Sequence, residues 1–148
     1  MKNFFALEEV IIARLGEKLP GIEIIGTAGA MAAQETCMPY EVLYVWFAGA
    51  EPGDSAQQNR QQKVKATWVV EVVVKNGFAA QSGAGARSDA GPLISSVLQA
   101  MLGWNPDKST YRLPFAWEKG HYKPGYSPGG YLYFPLQFSI EFVISVEE

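Results

Sequence analysis

Residues 131 to 144 read YLYFPLQFSIEFVI. In an extended chain Leu132, Phe134, Leu136, Phe138, Ile140, Phe142 and Ile144 share one side. Tyr133, Pro135, Gln137, Ser139, Glu141 and Ser145 share the other. This period of two marks a strand with one face in the core. Pro135 has no N–H to give to a ladder, which points to an edge strand or a bulge at that position. An open edge recruits other chains, and a proline there can equally serve to block them.

Working outward, residues 4 to 19 place Phe4, Phe5, Leu7, Ile11, Ile12, Leu15 and Leu19 in one helical stripe. Asn3 is the expected N-cap, and Leu19-Pro20-Gly21 the stop. Ile22, Ile24 and Ile25 predict a short strand. YEVLYVWFA at 40–48 and VKATWVVEVVV at 64–74 predict two more, joined by the polar stretch GAEPGDSAQQNRQQK at 49–63. A connection longer than ~12 residues is uncommon in a compact domain and is often functional or disordered. Asp54, Gln57, Gln58 and Arg60 are its candidate flexible-tip residues. KNGFAAQSGAGARSDAGP at 75–92 reads as a linker. A second helix is expected from Pro92 to Leu102, with Asp89 near its cap and Gly103 closing it. YRLPFAW at 111–117 predicts a fourth strand, EKGHYKPGYSPGG a turn-rich loop, and the opening stretch the fifth strand. The order α-β-β-β-α-β-β with hairpin connections defines an α+β fold: a mostly antiparallel sheet with two helices on one face, in a single domain over 1–148.

The two middle strands are apolar on both sides. Leu43, Val45 and Phe47 oppose Val42, Tyr44 and Trp46; Trp68, Val70, Val72 and Val74 oppose Val69 and Val73. Five strands make a sheet ~24 Å wide, and two helices of ~10 Å diameter cover about one face of it. The second face is therefore expected to need cover from loops or from a sister copy. Val42, Tyr44, Trp46, Val69, Val73 and Pro135 are the interface candidates. Glu8 joins them because it falls inside the apolar stripe of the first helix, although a favourable place near the helix N-terminus is the better explanation for it.

Composition narrows the chemistry. The 148 residues are 48% hydrophobic and 18% charged, as in a globular domain. The net charge of −3 offers no bulk attraction for a polyanion, so direct nucleic-acid binding is not expected. No apolar run approaches the ~20 residues that span a bilayer. Glu8, Glu9 and Arg14 interrupt what would otherwise resemble a signal core near the N-terminus. Cys37 is the single cysteine and His121 the single histidine, which excludes an internal disulfide and a multi-histidine metal site. Cys37 reads as a small apolar residue and His121 as an exposed loop residue. SGAGARS at 82–88 has neither the third glycine of a dinucleotide loop nor the lysine of a P-loop. The aromatic loop HYKPGYSPGGYLY at 121–133 lacks the basic surroundings that nucleobase stacking needs. No catalytic residue, cofactor or metal is assigned.

The layout as a whole, FFALEEVIIARL, YEVLYVWF, a long polar tip, KATWVVEVVV, GPLISSVLQAMLGW, YRLPFAW and YLYFPLQFSIEFVI, resembles the tail-terminator proteins of Mu-like tailed phages and prophages. The resemblance spans most of the chain and rests on patterned strands and helices, with no rare residue signature. It implies a non-enzymatic ring, typically of six subunits, capping the head-proximal end of the tail tube. The implied partners are further copies of the chain, the tail tube protein and a neck or head-completion protein. The implied places are the host cytoplasm during assembly and the virion tail afterwards. Two other readings remain at this point: another minor tail or neck protein, and a small enzyme or ligand-binding domain. The last requires a deep pocket with converging polar groups.

Overall fold

The computed structural model describes residues 3–26, 41–75, 84–127 and 129–146. Cys37 and the small-residue stretch at 27–34 lie outside them. Helix α1 spans Leu7–Lys18, β1 Glu23–Ile25, β2 Glu41–Ala56 and β3 Gln61–Lys75. Helix α2 spans Ala84–Met101, β4 Ala116–Glu118, β5 Gly125–Tyr126 and β6 Tyr131–Ser145. The strands form one sheet in the order β1-β2-β3-β6-β4, with β5 also on β6. Only β1–β2 is parallel among these pairs. This is the α+β fold that the order of elements predicts, with one short strand more.

Helix α1 forms because Leu7, Ile11 and Leu15 recur on one face and are buried there. Its first turn departs from expectation. Asn3 caps the turn that precedes the helix, accepting from the Phe5 N–H at 3.0 Å, and Phe5 itself is 54% exposed. Both helices pack on the sheet face that carries Leu43, Val45, Trp68, Val70, Val72, Leu136, Phe138 and Ile140. The Arg14 guanidinium ties the helices together, donating to the Ala100 carbonyl at 3.1 Å and lying over Trp104.

Three boundaries differ from the sequence reading. Helix α2 begins at Ala84, so part of the expected linker is helical and Pro92 stands inside the helix instead of in its first turn. Pro92 is exposed, so the ladder bond it cannot make faces solvent. The polar stretch at 49–63 is mostly strand: β2 runs on to Ala56, β3 starts at Gln61, and only Gln57–Arg60 turn. Bulges between Phe47 and Gly49 and between Pro52 and Ser55 absorb the glycines and the proline that suggested a loop. Finally, residues 111–115 form no strand and pair with the sheet's backbone only through a bridge from Tyr111 to Phe142, while the Tyr111 and Phe115 side chains join the core.

β6 is neither an edge strand nor bulged. It pairs with β3 without a register break from Tyr131 to Ser145. Its other side meets β5 at Leu132 and Tyr133 and β4 at Gln137, Phe138 and Ser139. Pro135 falls in the interval between those two short strands, where the absent N–H deprives no described partner.

Candidate interaction surface

Alternation sets the chemistry of the second face. Residues of odd number in β3 point away from the helices, since Val70 and Val72 join the helix-side core while Val73 joins a separate cluster with Val42, Tyr44 and Tyr131. Cross-strand register then fixes neighbours. Trp46, Val69 and Gln137 form one row; Tyr44, Glu71 and Pro135 the next; Val42, Val73 and Tyr133 the third. Five of the sequence candidates and Pro135 are thus gathered on one patch.

That patch is not bare. Val42, Val69 and Val73 are 0% exposed and Tyr44 4%. Of the two expected sources of cover, loops or a sister copy, these four positions need only the first, because they are covered within the single chain. Part of the cover is aromatic: Tyr122 meets Trp46 edge-on at 5.7 Å, and Tyr131 packs beside Tyr133 and under the Lys75 ammonium. What stays half-open is a rim made of Trp46, Tyr133, Pro135 and Gln137, with Glu71 inside it.

Glu71 was not singled out by sequence. In VVEVVV it reads as a polar interruption of a valine run; its place at the centre of the patch emerges only from the register. Removal from water lifts its carboxyl to about 7. Among the described residues it has no hydrogen-bond or salt-bridge partner. The neighbouring Tyr44 hydroxyl is buried and also lacks a partner there; burial, then the charges of Glu23 and Glu71, push it upward.

The other end of the same face is polar. Lys65 reaches Glu118 on β4 at 2.8 Å, and the Ser139 hydroxyl donates to the same carboxylate at 2.7 Å. The hydrogen bond from Lys65 and then that from Ser139 hold Glu118 below the usual carboxylate range. Lys63 pairs with Glu141 at 3.5 Å. These pairs straddle β3, β6 and β4 and are satisfied within the chain.

The remaining candidates lie elsewhere. Glu8 is half-buried on α1, its carboxylate against Gly26 just after β1. Asp54 lies in the exposed end of β2, while Gln57, Gln58 and Arg60 form the hairpin turn. Gln57, Gln58 and Asn59 all adopt positive φ, at 52°, 59° and 66°. Beyond them the ends of β2, β3 and β6 form a three-stranded arm whose exposed apolar residues are Val143, Ile144 and Val146.

Three surface hollows of about 390, 340 and 270 Å³ are bordered by described residues. The first flanks Pro135 and is walled by Trp117, Phe134 and Pro124. The second lies beside α1 at Leu7, Val10 and Tyr111. The third holds His121 with Glu51, Thr67 and Gln137. No cluster of three or more metal-ligating side chains occurs among the described residues. No helix among them is long and apolar enough to cross a membrane.

The described residues thus make an α+β fold with a patterned second face and an extended three-stranded arm. The chain is a member of the phage tail terminator protein family, whose model matches residues 1–148. It is accordingly a structural protein of the phage tail. Among solved structures, one aligns with 95% of this chain and 97% of its own, at 16% identity and a TM-score of 0.45. No curated protein matches the sequence.

Proposed function

We propose that the chain closes into a homo-oligomeric ring that caps the head-proximal end of the tail tube, halts its growth and presents a surface to the neck. Family membership over the full length carries this reading. A ring needs two different patches that meet head to tail, so that rotation closes the chain of contacts. The half-open rim around Glu71 and the exposed arm ending in Val143, Ile144 and Val146 supply such unlike surfaces on one molecule. The arm is also the part best placed to touch the last tube ring, since its hairpin turn projects beyond the helix-covered core. No catalytic step is assigned to the chain.

The test is to add the chain to polymerising tube protein and measure tube length by electron microscopy. Shorter tubes bearing a cap at one end are expected. An unchanged length distribution at a molar excess of the chain overturns the capping function. Native mass spectrometry of the chain alone reads the ring directly.

A further inference from the structure

The carboxyl of Glu71 stands half out of water in the middle of an apolar patch. Tyr44 and Pro135 are its cross-strand neighbours, Val69 and Val73 its neighbours along β3, and Trp46, Tyr133 and Gln137 the diagonal rim. A carboxylate so placed loses hydration and gains nothing in return among the described residues. Such a group is destabilising in the isolated chain and is compensated when an assembly brings it a cation. The aromatic rim narrows which cation fits. A guanidinium is more weakly hydrated than an ammonium, stacks on aromatic faces and grips a carboxylate with two parallel hydrogen bonds.

The chain contains four arginines. Arg14 is held by the Ala100 carbonyl and Trp104. Arg87 donates to the Tyr126 hydroxyl, and Arg60 is likewise engaged. Arg112 alone is exposed with no hydrogen bond or ion pair among the described residues. Beside it Leu113 is 59% exposed, so the guanidinium is offered together with an apolar side chain. The preceding residue is anchored. Tyr111 is buried, bridges to Phe142, donates its N–H to the Asp107 carbonyl at 2.9 Å and accepts from the Asn105 amide at 2.8 Å. Arg112 is thus presented from a fixed point.

Within one molecule the two cannot meet. Tyr111 bridges to Phe142, whereas Glu71 lies level with Pro135, about 23 Å away along β6 at ~3.3 Å per residue. Glu71 also points away from the face on which the Tyr111 and Phe142 rings pack. We propose that Arg112 of a second copy, with Leu113 beside it, docks on the Glu71 rim and forms a ring-closing salt bridge. The patches are unlike, so the contact is head to tail, as a closed ring requires. This inference rests on the ring reading and narrows its second patch to Arg112 and Leu113, which the Tyr111 bridge to Phe142 sets beside Val143 at the base of the arm.

Native mass and sedimentation of the full chain test it, using Glu71→Gln, Arg112→Gln, the double variant, and the charge swap Glu71→Arg with Arg112→Glu. Each single variant is expected to weaken association at least 10-fold, the double no further than either single, and the swap to recover association. Glu71→Gln is also expected to melt higher as a monomer, so that fold and assembly move in opposite directions. A residue with only a structural role moves them together. A wild-type chain that stays monomeric at high concentration overturns the ring and this contact together. A wild-type ring that neither single variant weakens, or effects that add in the double, overturns this contact alone.

Discussion

A carboxyl that holds its proton more tightly folded than unfolded gives the fold a pH dependence of definite sign. For Glu71, burial raises the carboxyl to about 7, so the folded chain binds more protons than the unfolded one between the ordinary carboxylate range and that value. Its contribution is fully present below the unfolded value and is lost as pH rises through about 7. Glu71→Gln is therefore expected to flatten the decline in stability between about pH 5 and pH 7. The gain at neutral pH is on the order of 1–2 kcal/mol once screening on the open side is allowed for. Urea unfolding of monomeric protein at a series of pH values measures it, and a curve parallel to wild type refutes it. At this scale much of the patch was legible in sequence. Alternation alone separated Leu43, Val45 and Phe47 from Val42, Tyr44 and Trp46, and the two clusters keep that division. Glu71 was not legible, because its meaning depends on Tyr44 and Pro135, which are adjacent to it only through pairing.

Among the elements, two local conformations run against intrinsic preference. Pro92 lies inside α2 at an exposed position, where it removes a ladder hydrogen bond and crowds the preceding turn. Pro92→Ala is expected to raise stability by about 1–3 kcal/mol, read from the urea midpoint at unchanged slope. At the hairpin turn three successive non-glycine residues adopt left-handed backbone, at about 1 kcal/mol or more each. Gln58→Gly is expected to stabilise the hairpin by about 1 kcal/mol, seen as slower amide exchange in Ala56 and Gln61. The same positions explain why element boundaries escaped the sequence reading. Gly49, Pro52 and Gly53 look like a loop, yet bulges accommodate them and β3, paired on both sides, carries the hairpin outward. The SGAGARSDAGP stretch reads as a linker because glycine and proline usually end helices; packing of Ala90, Leu93 and Val97 against the sheet outweighs that preference. Alternation in 131–144 gave β6 correctly, but pairing partners are not written in a single strand, and Pro135 was therefore assigned to an edge or a bulge.

For the molecule as a whole, the position of β6 in the sheet sets an order of events during synthesis. β6 is made after every strand it joins, yet it is an interior one, flanked by β3 on one side and by β4 and β5 on the other. Until residue 131 and those after it emerge, the β2–β3 hairpin has an unsatisfied apolar margin, and β4 and β5 lack the strand they pair with among the described residues. A chain ending at Gly130 is expected to lack cooperative unfolding and native protease resistance; a sharp melt from it would refute this. Nascent chains on the ribosome thus expose the Trp68 and Val70 margin until β6 emerges, a window in which chaperone capture and aggregation compete with folding. Emergence of β6, and not the making of the strands before it, is what commits each subunit to this sheet.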